Sequence, residues 1–215
     1  MKKVKIFAVV VIALLATSSV KAQFSANADV VSSYVWRGVK YSGVSIQPTL
    51  QYTAGSFAIG TWGSSGFDGF SEADLYAKYS FDFGLSLGVT DYYYPGTKYF
   101  DYSKATGAHG YEINLGYATG GFSLSANYIL NEAGSAATTG GDKYFELGYA
   151  FESFSIFAGA GDGWHTPDAK FGVVNVGIST SKDIKITDTF SVPLKVSAIV
   201  NPTTENLFLV ASITL

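Results

Sequence analysis

The chain has 215 residues, no cysteine, and 14 Lys and Arg against 17 Asp and Glu. That length suits one domain, and the lack of cysteine excludes disulfides and thiolate metal sites. Four lysines (positions 2, 3, 5 and 21) and no acid lie in the first 22 residues, so the remainder carries 10 − 17 = −7, a balance that argues against nucleic-acid binding.

The basic start Met1-Lys2-Lys3-Val4-Lys5, the apolar run Ile6 to Ala16 and the small residues before Lys21-Ala22 read as a secretory signal peptide cleaved after Ala22. The apolar run is shorter than the ~20 residues a membrane-spanning helix needs, and Gln23 rather than Cys follows the cut, so no lipoprotein anchor is expected. From residue 23 to 215 the chain then repeats one pattern: segments of about ten residues with alternating hydrophobicity, separated by turn residues, the signature of a transmembrane β-barrel. A bilayer core satisfies no backbone N–H or C=O, so only helices or closed barrels cross it.

About twelve strands are expected, an all-β, antiparallel, up-and-down barrel. The first, Phe24 to Arg37, puts Ala26, Ala28, Val30, Tyr34 and Trp36 on one face and Asp29, Ser33 and Arg37 on the other. The second, Val44 to Ala54, alternates Val44, Ile46, Pro48, Leu50 and Tyr52 with Ser45, Gln47, Thr49, Gln51 and Thr53. Ser56–Ser64, Ser71–Tyr79 and Phe83–Tyr92 follow, the fourth segment setting Ala73, Leu75 and Ala77 against Glu72, Asp74, Tyr76 and Lys78. Gly110–Ala118 sets Tyr111, Ile113 and Leu115 against Glu112, Asn114 and Gly116, and Phe122–Leu130 and Lys143–Phe151 repeat the rhythm. Phe154–Gly161 comes next, then Phe171–Ser179 with Val174, Val176 and Ile178 outward, then Phe190–Val200 and Leu207–Leu215.

Short connectors at Gly55, Asp82, Gly120-Gly121 and Glu152-Ser153 alternate with long ones near 38–43, 65–70, 93–109, 131–142, 162–170 and 201–206. Short periplasmic turns and longer extracellular loops are the outer-membrane arrangement. The connector Thr180 to Thr189 is too long and breaks the rule once. Outward positions are Leu, Val, Ile, Phe, Ala and Tyr, and inward ones are polar, small or Gly, the inverse of a soluble lipocalin-like barrel.

The stretch Ser33-Tyr34-Val35-Trp36-Arg37-Gly38, then Gln47-Pro48, Gly60-Thr61-Trp62-Gly63-Ser64, Glu72-Ala73-Asp74-Leu75-Tyr76 and Tyr93-Tyr94-Pro95-Gly96, resembles the TorF-type porin family of exported bacterial proteins. The similarity runs in order over about the first half of the mature chain. It implies an outer-membrane β-barrel with a pore, and it supplies no catalytic residue and no substrate. One departure is the end Ile213-Thr214-Leu215, where outer-membrane barrels usually close on an aromatic residue read by the barrel assembly machinery.

Ionisable residues at membrane depth face the interior, pair, and mark ion or solute pathways. The candidate pore lining is Asp29, Arg37, Glu72, Asp74, Tyr76, Lys78, Glu112, Glu146 and Lys195. Five acids against three bases there would favour cations weakly in an open lumen. The alternative is a narrow lumen plugged by an internal network of the same charges. Eight strands leave an interior that side chains fill and 16–18 leave an aqueous channel, and about twelve lies between. Inward Gly60, Gly88, Gly116, Gly148, Gly159 and Gly177 either widen the bore or make room beside Trp62, Tyr76 or Phe157. Tyr92-Tyr93-Tyr94 before Pro95-Gly96, with Tyr34, Trp36, Tyr111 and Tyr128, is expected in the outer aromatic girdle.

The expected function is passive diffusion of ions and small polar solutes through the outer membrane, in contact with its lipid and without any cofactor. A closed structural or surface-binding barrel is the alternative, and a folded-in loop or a continuous inward salt-bridge network would favour it. A barrel hydrolase would require His109 or His165 to meet Ser and Asp at one site; neither Gly-x-Ser-x-Gly nor His-Glu-x-x-His occurs, so no enzyme is expected.

Overall fold

The computed structural model describes residues 22–215; the expected signal peptide, apart from Ala22, lies outside the described residues. Sixteen strands follow in order: β1 (Ala22–Val31), β2 (Tyr34–Trp36), β3 (Val39–Ser42), β4 (Ser45–Ala54), β5 (Phe57–Gly66), β6 (Ser71–Ser80), β7 (Leu85–Tyr93) and β8 (His109–Thr119). Then come β9 (Phe122–Ile129), β10 (Glu132–Ala133), β11 (Thr138–Thr139), β12 (Lys143–Ala150), β13 (Ser155–Gly161), the 3-10 turn η1 (Gly163–His165), β14 (Gly172–Lys185), β15 (Ser191–Asn201) and β16 (Asn206–Thr214). Twelve of them close an antiparallel barrel in the order β1-β16-β15-β14-β13-β12-β9-β8-β7-β6-β5-β4. The seam is short: β1 meets β16 through Asp29↔Thr214, Val30↔Ile213 and Val31↔Ser212. The remaining four strands make two small hairpins, β2–β3 and β10–β11, outside the wall.

The alternation places side chains as expected, because a strand turns successive residues to opposite faces. On β4, Ile46 and Leu50 are exposed outward while Gln47 is buried. Pro48 carries no N–H for a ladder, and β4 and β5 have no paired residues at Gln47 and Pro48. Leu75, Leu87, Val89, Ile113, Leu115, Leu124, Leu147 and Leu209 are all exposed on the outside. The outer face of the wall is therefore broadly apolar and its inner face polar.

Three expectations are corrected. The first strand does not run to Arg37: β1 ends at Val31, and the chain turns in to form β2–β3. The connector Thr180–Thr189 is mostly strand, because β14 and β15 extend together to Lys185↔Ser191 and leave a short turn. The alternation of short and long connectors is therefore unbroken at that point. Val174 is not outward but fully buried. The β13–β14 register shifts at Gly159/Ala160, pairing Gly159 with Asn175 and Ala160 with Val173. The extra residue of that bulge re-aims Val174 inward.

Inward glycines make room for rings. A side chain at Gly60 would collide with Tyr76, at Gly159 with Tyr144, and at Gly177 with Phe157. The lumen is thus narrowed by aromatic fill rather than widened.

Candidate functional site

The end of the barrel with the long loops is closed by the β2–β3 hairpin. Its turn has two residues, Arg37 and Gly38, between paired Trp36 and Val39. Both have positive φ, +51° and +78°, the conformation of a type I′ hairpin turn that matches the strand twist. Gly38 is required for space as well: a Cβ there would overlap the Val174 carbonyl of β14. The Asn201 amide of β15 donates to the Gly38 carbonyl at 3.0 Å, so the hairpin tip is also tied to the wall two strands from β1.

Arg37 is held in this left-handed conformation by its side chain. Its guanidinium forks onto Glu112 of β8, with Nη1 to Oε1 at 2.6 Å and Nη2 to Oε2 at 2.9 Å. The pair is nearly dry, the two side chains being 11% and 1% exposed. The guanidinium also lies 4.2 Å from the Trp36 ring and 4.5 Å from the Tyr144 ring. Glu112 accepts further bonds from the Tyr92 hydroxyl at 2.9 Å and the Asn114 amide at 2.5 Å. Bidentate Arg–carboxylate geometry fixes orientation as well as charge, so this is the pin of the plug.

Aromatic rings fill the space around the pin. Trp36 packs against Tyr92, Trp164 and His165 with centroids 5.4, 6.2 and 5.4 Å away. Tyr34 packs on Tyr41, Trp62 and Phe70. Burial, reinforced by nearby Glu72, pushes the Tyr34 and Tyr41 hydroxyls above their ordinary range, so both stay neutral. Burial and the nearby Arg37 charge push His165 down to about 3, which leaves a neutral imidazole beside the guanidinium.

Glu72 and Asp74 lie on one face of β6, each 5% exposed. Neither has a basic partner within salt-bridge distance among the described residues, and Glu72 Oε2 and Asp74 Oδ1 have no hydrogen-bond partner. Glu146 of β12 accepts from the Tyr144 hydroxyl at 2.5 Å and the Asn175 amide at 2.8 Å. Asp29 accepts from the Thr214 hydroxyl at 2.6 Å, and Tyr76 donates to Gln51 Oε1 at 2.9 Å. Behind the hairpin is a cavity of about 330 Å³ lined by Arg37, Gln47, Glu146, Asn175, Ser179 and Lys195. A second, of about 300 Å³, has Tyr76, Lys78, Asn114 and Asn127 in its lining.

The candidate residues therefore divide. Arg37 and Glu112 meet as the closing pair, while Glu72 and Asp74 are buried in the mouth. Arg37, Glu146 and Lys195 share one cavity, and Tyr76 and Lys78 the other. Tyr34 and Trp36 are corrected: they pack in the plug, not in an outer girdle. Tyr92 faces Glu112 and Tyr94 packs on Phe70 and Trp164, whereas Tyr128 is exposed on the outer wall as expected. Trp164, His165 and Tyr144 complete the plug without having been expected there. Gly161-Asp162-Gly163 before Trp164 signals a turn, not where the turn folds. Neither histidine bonds a seryl hydroxyl among the described residues: His109 contacts Asp91 and a backbone carbonyl, and His165 packs against aromatic rings.

No curated protein matches this sequence. A bacterial family described as of unknown function, Gcw_chp, matches residues 15–188. That span holds the hairpin, the Arg37–Glu112 pair and both buried acids, and the chain belongs to the Gcw_chp family.

Proposed function

We propose that this protein is a bacterial outer-membrane barrel that admits ions and small polar solutes by passive diffusion, and that its resting state is shut at the extracellular mouth. The observation that carries this reading is the β2–β3 hairpin pinned across the lumen by Arg37 and Glu112, with a charged cavity behind it. A barrel meant only to be solid would gain from an apolar or fully paired filling, because breaking even cannot be expected of buried charge. Here the filling holds two buried acid side chains, Glu72 and Asp74, with no basic partner among the described residues, and space for water. The resemblance to TorF-type porins and the apolar exterior support the same reading, with outer-membrane lipid and the barrel assembly machinery as partners.

The test is single-channel recording of the refolded mature protein in planar bilayers at several salt concentrations. Rare, discrete steps whose size scales with salt are expected. A barrel that inserts and never conducts, even with the hairpin unpinned, would refute the channel.

A second reading, a closed barrel that binds partners at the cell surface, is favoured by the folded-in β2–β3 hairpin itself and by the interlocking of the long loops. The Trp164 indole donates to the Ala137 carbonyl at 2.7 Å, and Ser135 and Ala136 N–H groups donate to the Gly107 carbonyl at 3.0 and 3.2 Å.

A further inference from the structure

His109 opens β8 on the outer face, in line with Tyr111, Ile113 and Leu115, yet it is 2% exposed. The loop of residues 94–108 folds back over it. Nδ1 lies 2.8 and 3.0 Å from the two carboxylate oxygens of Asp91 on β7, and Nε2 lies 2.5 Å from the backbone carbonyl of Tyr99 in the loop. A carboxylate and a carbonyl can only accept here. Both ring nitrogens must then donate, and only the doubly protonated imidazolium does so.

The surroundings suit a cation. Tyr102 and Tyr93 stack on the ring at 5.0 and 5.4 Å, Tyr99 meets it edge-on at 5.0 Å, and Tyr111 lies parallel at 6.0 Å. Ring faces attract cations through their quadrupoles. The charged and titratable groups that face His109 are thus Asp91 and Tyr93 from β7, Tyr99 and Tyr102 from the loop, and Tyr111 from its own strand. The loop is tied in turn to the β10–β11 hairpin, where Gly134 N–H donates to the Lys104 carbonyl at 2.9 Å and the Ser135 hydroxyl to the Thr106 carbonyl at 3.0 Å.

We propose that Asp91 and His109 form a protonation-dependent clasp that holds the 94–108 loop against the barrel wall. Loss of the second imidazole proton leaves a nitrogen lone pair facing an acceptor oxygen and removes the charge paired with Asp91. The clasp is closed at the acid end and released as pH rises. This does not depend on whether the barrel conducts.

The loop carries two exposed trypsin sites, Lys98 and Lys104, and Lys185 at the opposite end of the barrel is an exposed reference. The measurement is limited trypsin digestion of the folded protein in detergent between about pH 6 and about pH 9, read as cleavage at Lys98 and Lys104 divided by cleavage at Lys185. The ratio corrects for the protease's own pH dependence. A rise of roughly tenfold is expected, the effect of one lost charge-assisted hydrogen bond on a local opening equilibrium. His109→Gln should make the ratio independent of pH. If His109→Gln gives no folded band, Asp91→Asn serves instead, with cleavage already high at the acid end. Imidazole 15N NMR of the wild type at the acid end should show both nitrogens protonated. A flat wild-type ratio, an equal rise in His109→Gln, protection retained at the acid end in Asp91→Asn, or a singly protonated ring at the acid end overturns the clasp.

Discussion

Truncating Arg37 to alanine should open the barrel without unfolding it. The substitution removes both donors to Glu112 and the cation over Trp36 and Tyr144. Glu112, 1% exposed, is left with the Tyr92 hydroxyl and the Asn114 amide. Deleting one partner of a buried pair costs about 3–5 kcal/mol. The two surviving donors and the adjoining cavity place the effect at the low end, about 3 kcal/mol. The barrel wall keeps its ladders, so that cost falls on the seated hairpin. It corresponds to a shift on the order of 100-fold in the closed-to-open ratio. Open probability in planar bilayers reads the shift directly, with unboiled gel mobility as the check that the wall is intact. Arg37→Met combined with Glu112→Leu removes both charges and should restore closure, because apolar groups of similar volume replace a buried pair at little cost. An Arg37→Ala barrel that folds and stays as closed as the wild type would refute the pin.

Three further outcomes are expected. In the Arg37→Ala background, Glu72→Gln with Asp74→Asn should reduce cation preference; an unchanged reversal potential in a salt gradient would reject these acids as lining. His165 is pushed from 6.5 down to about 3 by burial and then by Arg37, so the folded mouth favours the neutral ring. Its contribution to the seated plug is complete above about pH 6.5 and is lost as pH falls toward 3; open probability should rise on acidification, and equal acid sensitivity in His165→Gln would disprove the assignment. Leu115 faces outward midway along β8, and Leu115→Arg should cost about 2–4 kcal/mol in urea unfolding from lipid vesicles, whereas no measurable cost would count against a lipid-facing wall.

The repeat of two that runs through Ile46-Gln47-Pro48-Thr49-Leu50 and Glu72-Ala73-Asp74-Leu75 was enough to give the strands, their faces and their number. Side-chain direction alternates with the backbone itself, so one buried face writes itself into the chain. Glu112 and Glu146 were legible as inward for the same reason. Ser33-Tyr34-Val35-Trp36-Arg37-Gly38 keeps the same alternation, yet it leaves the wall, and periodicity cannot tell a strand that stays from one that turns in. The partnership of Arg37 with Glu112, 75 positions away, follows from closure of the barrel, which brings the tip of one loop against the opposite strands. Val174 was misplaced because a bulge breaks the alternation between Val173 and Asn175, so the outward phase of Val176 and Ile178 does not carry back through Val174, and the cause lies in the pairing with β13. His109 reads as one more residue at a strand end until the loop of residues 94–108 folds over it. Local alternation thus set the wall, its apolar exterior and its polar interior. Contacts between residues far apart in the chain decided what fills the mouth and which loop covers His109, since those depend on distances that exist only once the sheet has closed on itself.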